Sequence, residues 1–580
     1  MAGMLMSAVG LVAPNADPVP SNAIIVSATA GNDSWPGTEA QPLKTVKQAL
    51  RRATAGTMTT IVLREGVYRE NLGAIVKPIT LQPYPGEQAW FKGSSVVSPA
   101  SFVADGARWR LDNWQPTDMC LTKNVLGTAN PCVVNPADLT AANPIGGDPE
   151  MVFVDGTPQT QVDALAKVGA NSFYWDSVKF QIFLGQNPAG HTVEIADKSY
   201  ALHFMAGAEN SVVRGLGFAQ YATSLNYSKH PAALITQASG TVFENNTVTL
   251  NAAAGMALHA SNVRAIGNTI TRNGSNGLLS NRASNLTLRG NQVVANNLED
   301  TGLQGNSLAG AGMKATFLHD SVISDNVFAD NHGTGFWCDL ACYRVTIVRN
   351  TARNNTKHGL YYEVSSQGLI ASNLAVGNTS TGLKISGANH VRTYNNTFAD
   401  NGQALLVAED PRPKAGCTND ANNCPLPADA ALGITYDTAD VTLVNNIFAA
   451  GTATTPLVDT VDGNPVSSGK RPGAAGMIPA GQMDNNGYYR ARATQPATLV
   501  NWVHAADTGY SAYASLPAFR ATGRDTHGSY QETSYFVAGD YRLVPGSPAE
   551  TAGAALPADV AAAIGVPATG PVALGALRWP

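Results

Sequence analysis

Asp339 and Glu363 each stand four residues after a glycine, Gly335 and Gly359, and two residues after an aromatic, Trp337 and Tyr361. Two carboxyl groups held together in this way can divide the work of glycosidic-bond cleavage, one as nucleophile and one as acid and base. A shared site raises the pKa of one member, as a proton donor requires. Like charges on adjacent strands are destabilising, and a chain with only 14% charged residues has little need to pair two acids on a plain surface. Lys314 and Lys384 hold the position of Trp337 and Tyr361 relative to Gly312 and Gly382, placed to bind substrate hydroxyls or to screen the acids. The rings of Trp337 and Tyr361 offer faces for sugar stacking. His332 and His358 stand in the turns entering the two acid-bearing segments, as candidates for substrate contact.

A repeat must position these residues. Asn246, Asn268, Asn291, Asn326, Asn350, Asn373 and Asn396 recur every 22–24 residues, apart from one step of 35. Gly255, Gly277, Gly312, Gly335, Gly359 and Gly382 keep the same interval, and an insertion between Asn291 and Gly312 accounts for the long step in both series. Short alternating strands lie between the marks, such as Val322-Ile323-Ser324 and Val345-Thr346-Ile347. One strand-and-turn unit per 22–24 residues reads as the coils of a right-handed parallel β-helix, with the asparagines as stacked turn ladders. Leucine-rich repeats share the period, but their spaced leucines are absent.

Strand alternation turns the glycine marks into a map. First and third positions point inward, as in Phe336 and Cys338 or Leu360 and Tyr362. The outward second-position column reads Ala257, Leu279, Lys314, Trp337, Tyr361, Lys384; the fourth reads His259, Asn281, Thr316, Asp339, Glu363, Ser386. Coils about 4.8 Å apart bring the two acids near the roughly 5–5.5 Å of retaining glycosidases, short of the roughly 6.5–9.5 Å that admits water in inverting ones.

The flanks complete the plan. Residues 1–21 are expected to be disordered or a signal remnant, since Met4 to Ala13 is apolar but no Lys or Arg precedes Lys44. Residues 22–95 supply a cap, with helical periodicity over Leu43–Leu50, and the first coils. Residues 96–200 break the period and suggest an inserted β-sandwich; residues 201–580 form the main β-helix and C-terminal packing segments, with a short helix over Asp559–Ile564. Net charge of -5 argues against a nucleic-acid binder, and no apolar run approaches the roughly 20 residues of a membrane span. Six cysteines fall in three local couples, Cys120/Cys132, Cys338/Cys342 and Cys417/Cys424, read as disulfides of an exported protein. Cys338 and Cys342 lack a second ligand pair for zinc, and the chemistry demands neither metal nor cofactor.

The run Gly335-Phe336-Trp337-Cys338-Asp339, followed by Gly359-Leu360-Tyr361-Tyr362-Glu363-Val364-Ser365, resembles the β-helical retaining glycosidases, and most the family 120 glycoside hydrolases, the β-xylosidase group. The opening Ala30-Gly31-Asn32-Asp33-Ser34-Trp35-Pro36-Gly37-Thr38 is similar to secreted β-helix proteins generally. The resemblance implies Asp339 as nucleophile, Glu363 as acid/base, and an oligo- or polysaccharide substrate. Two rivals remain: a polysaccharide lyase using Lys314 or Lys384 as base on a uronate polymer, and a non-catalytic carbohydrate-binding β-helix.

Overall fold

In a computed structural model the fold is an all-β, right-handed parallel β-helix carrying an inserted β-sandwich. The structure describes residues 18–116, 118–119, 139–225, 231–302, 310–410, 412, 421, 424–462, 472–570 and 572–577. The apolar N-terminal stretch, Cys120, Cys132 and Cys417 lie outside these residues.

The chain divides into two compact units, residues 1–275 with 299–308, and residues 276–298 with 309–580. In the first, helix Val46–Arg52 follows an opening strand, Ile24–Val26. Thr45 caps it by accepting from the Gln48 N–H, and the Glu70 carboxylate accepts from the N–H groups of Val46 and Lys47. It buries Val46 and Ala49. Between coils, strands from Ser94–Val97 to Val193–Ala196 build one four-stranded and one five-stranded sheet. The two share a core of Phe102, Val154, Trp175, Ile182 and Ile195, which is the sandwich.

The second unit holds the acid-bearing coils. Strands Ala311–Thr316, Thr334–Asp339, Leu360–Glu363, Thr381–Ser386 and Gln403–Ala408 lie side by side, parallel and in register. Met313, Phe336, Leu360, Leu383 and Leu405 stack inward, each at most 1% exposed. Helix Ala558–Ile564 packs Val560, Ala561 and Ile564 against Val348, Ala371 and Tyr394 on another sheet of this unit.

Buried asparagines set the register. Asn326 donates through Nδ2 to Asn350 Oδ1 at 3.0 Å, Asn350 to Asn373 at 3.0 Å, and Asn373 to Asn396 at 3.0 Å. The series continues to Asn446 and Asn486. A parallel ladder five residues further along each coil went unread in the sequence: Asn331 donates to Asn355, Asn355 to Asn378, and Asn378 to Asn401. This second ladder explains the glycine marks. A Cβ on Gly335 would lie 2.8 Å from Asn355 Nδ2 and 2.6 Å from the Gly359 carbonyl oxygen, with Gly312, Gly359 and Gly382 confined alike.

Asn350→Ala strips acceptors from the Asn326 N–H and side-chain amide and a donor from the Ile323 carbonyl, all buried. It is expected to lower unfolding stability by about 2–4 kcal/mol. Arg353→Ala, on the exposed side of the same coil, is expected to cost less than about 0.5 kcal/mol. Denaturant midpoints at constant slope compare them; equal midpoints would contradict the ladder's role.

Candidate active site

Register assembles two columns. Lys314 pairs with Trp337, Trp337 with Tyr361, and Tyr361 with Lys384; Thr316 pairs with Asp339, and Glu363 with Ser386. The sequence-predicted residues Lys314, Trp337, Asp339, Tyr361, Glu363 and Lys384 therefore come together on four consecutive strands. His358 joins them, its ring 5.2 Å from that of Tyr361 and its Nδ1 2.7 Å from Thr381 Oγ1. His259 belongs to the other unit, and His332 is tied by its backbone to Asn296 and Asn297.

One expectation is corrected by the stacking itself. Trp337 and Tyr361 lie face to face, 5.2 Å apart at 19°. Lys314 Nζ sits 4.2 Å over the outer face of the pair at Trp337, and Lys384 Nζ 4.4 Å over Tyr361. Both rings thus spend their faces on column neighbours, because side chains in register on strands about 4.8 Å apart stack on one another. Only ring edges remain, and the Trp337 edge is used: Nε1 donates to Glu363 Oε2 at 2.8 Å.

A second expectation fails at the cysteines. Cys338 and Cys342 are free, buried thiols. Cys338 points into the solenoid in register with Ala315 and Tyr362, while the Cys342 thiol turns towards the carbonyls of Ala315 and Asp339. Cys424 is disulfide-bonded.

The acids point out of the coil yet are almost covered, Asp339 at 4% exposure and Glu363 at 6%. Part of the cover is Arg412, which sequence reasoning missed. Its Nη1 lies 3.3 Å from Asp339 Oδ1 and its Nη2 3.1 Å from Glu363 Oε1, bridging the pair. Asp410, also missed, accepts from the Arg412 N–H at 2.9 Å and adds a third buried carboxyl. Both follow strand Gln403–Ala408, in the connection that returns through Ile434 and Tyr436, packed on Ala341, Tyr343 and Val364. That connection interrupts the 22–24-residue period, and the interruption is the one signal that the sequence held.

The two carboxyls sit in different fields. Burial pushes Asp339 up, but Lys314 Nζ at 3.0 Å, Arg412 and the Leu340 N–H outweigh it and hold the group below its ordinary range. Burial, then the charge of Asp339, push Glu363 up to about 7 against the pull of Arg412. One carboxylate and one carboxylic acid side by side is the state that nucleophile-plus-acid chemistry requires. Among the described residues no group of three His, Cys, Asp or Glu could hold a metal ion.

A family model described as "Right handed beta helix region" matches residues 191–309 and 234–398, and one described as "Protein of unknown function (DUF1565)" matches residues 29–84. The uncharacterized protein YwoF of Bacillus subtilis (strain 168) is 38% identical over 73 residues, 12% of this chain, and the chain spans about 15% of its length. Among solved structures, the complex of XylC with xylose aligns at a TM-score of 0.58 and 16% identity, covering 80% of this chain and 83% of that one. The A-module of the Azotobacter vinelandii mannuronan C-5 epimerase AlgE4 aligns at 0.39 and 11% identity, over 76% and 93%. The likeness to XylC extends to the fold, a right-handed β-helix. No helix among the described residues is long and apolar enough to cross a membrane.

The raised Glu363 carboxyl has a signature in stability. Its folded pKa of about 7 exceeds the ordinary 4.5, so the folded state holds the extra proton between those values. The group's contribution is therefore full below about pH 4.5 and is lost as pH rises towards 7. Glu363→Gln, which cannot ionise, is expected to gain stability relative to wild type from pH 5 to pH 8 in denaturant unfolding. A relative loss over that interval would contradict the assignment.

Proposed function

We propose that the protein is an exported retaining glycoside hydrolase. The observation that carries this reading is the split pair: Asp339 held ionised by Lys314 and Arg412, and Glu363 pushed up to about 7 on the neighbouring strand. Asp339 attacks the anomeric carbon while Glu363 gives its proton to the departing glycosidic oxygen. The bond to the leaving group breaks as the glycosyl ester to Asp339 forms. Glu363, now a carboxylate, takes a proton from water, whose oxygen displaces Asp339 and leaves the sugar with its original anomeric configuration. The strand spacing of about 4.8 Å supports the retaining route over the inverting one. Trp337 Nε1 on Glu363 Oε2 orients the acid, and Lys314 orients the nucleophile.

A uronate lyase is the second reading, and one observation favours it: burial lowers the pKa of Lys384, as a base requires. Lys314, engaged with Asp339 at 3.0 Å, is poorly placed for that role. Hydrolysis yields new reducing ends, whereas elimination yields an unsaturated sugar that absorbs in the ultraviolet.

Aryl glycosides test the proposal. Turnover is expected to fall as pH rises through about 7, where Glu363 loses its proton. Glu363→Ala is expected to retain the first step on substrates with good leaving groups, with azide restoring deglycosylation. Asp339→Ala is expected to lose turnover on every glycoside, by roughly 10³-fold or more. Proton NMR of the first product is expected to show the retained anomer; an inverted anomer would overturn the pair assignment.

A further inference from the structure

The charges of the site do not cancel evenly. Lys314 is matched with Asp339, and Arg412 with Asp339, Glu363 and, at 3.7 Å, Asp410. Lys384 is different. Among the described residues its ammonium group has no hydrogen bond or ion pair, and it rests 4.4 Å over the Tyr361 ring. It is largely desolvated, and Lys357 and His358 stand in the same field: burial and then the charge of Lys384 lower the pKa of Lys357, and burial with both lysines pushes His358 down to about 3. The edge of the site beyond Tyr361 thus gathers two lysines, with the carboxyls of Glu363 and Asp410 in the field of Lys384 but no ion pair to either.

A desolvated ammonium without a direct ion pair is unfavourable. Its cost is offset when a ligand supplies the anion. The aromatic faces that a neutral sugar would stack on are already covered by Lys314 and Lys384. Resting on the glycosidase reading of this site, we infer that its substrate is an acidic sugar, a glycoside of a uronic acid, whose carboxylate is met by the Lys384 ammonium. Lys384 then acts in recognition. Its distance from a bound sugar carboxylate is the distance over which a charge-assisted hydrogen bond forms, about 2.7–2.9 Å.

Calorimetric titration with D-glucuronic and D-galacturonic acid, beside D-glucose and D-xylose, tests the inference. At least one uronic acid is expected to bind at least about tenfold more tightly than either neutral sugar. Lys384→Met is expected to lose that preference and Lys384→Arg to keep it. The inference is overturned if a neutral sugar binds as tightly, if no sugar binds, or if Lys384→Met retains the preference. A matched panel of 4-nitrophenyl glycosides separates the two levels. Turnover of the xyloside in preference to uronides keeps the glycosidase reading and rejects the acidic substrate. Uronic acid binding with no glycoside turned over rejects the glycosidase reading alone. An unsaturated, ultraviolet-absorbing product would make Lys384 a base and overturn its role in recognition.

Discussion

Everything in the acid-bearing unit follows from coils stacked in register at a single strand spacing. Buried asparagines hold that register, each side-chain amide bridging to the same position one coil on. A register slip of one residue would break every rung and turn the inward apolar column outward. The glycine column is a consequence, since a Cβ there would meet the second asparagine ladder. So is the column of Lys314, Trp337, Tyr361 and Lys384, whose members have no freedom to avoid one another.

The same constraint creates the electrostatics of the carboxyl pair. Two carboxyls on neighbouring strands cannot separate, and burial removes the water that would screen them. The conflict is resolved unequally. Asp339 has an ammonium at 3.0 Å and a guanidinium, and remains a carboxylate; Glu363 has the guanidinium and an indole N–H, and holds its proton. Corner geometry adds to this: Leu340 and Val364, which follow the two acids, adopt φ of 48° and 37°. Such values cost a β-branched residue in particular about 1–3 kcal/mol. The corner is kept on each coil because packing over-determines it, with Val364 buried among Ala341, Ile434 and Tyr436.

The non-repeating connection after Ala408 acts on the coils from outside. Its apolar residues dock on the corners beside the acids, and its beginning lays Asp410 and Arg412 over them. The repeat supplies the carboxyl pair, and the interruption of the repeat sets its charge.

The sequence alone determined whatever the period encodes. The 22–24-residue spacing fixed the coils, their inward and outward faces, and the neighbours of Asp339, Glu363, Trp337, Tyr361, Lys314 and Lys384, because parallel stacking converts sequence distance directly into spatial adjacency. The second asparagine ladder was equally legible, five residues after the first, and needed only to be counted. Alternation gives direction and not depth, so it placed the acids outward without revealing that they are nearly covered. It placed two rings in one column without revealing that each spends its face on its neighbours. It put Cys338 and Cys342 close in sequence, yet both are free, buried thiols. Arg412 and Asp410 were beyond any period, because a loop finds its place through packing with residues far along the chain, and only the folded chain holds those contacts.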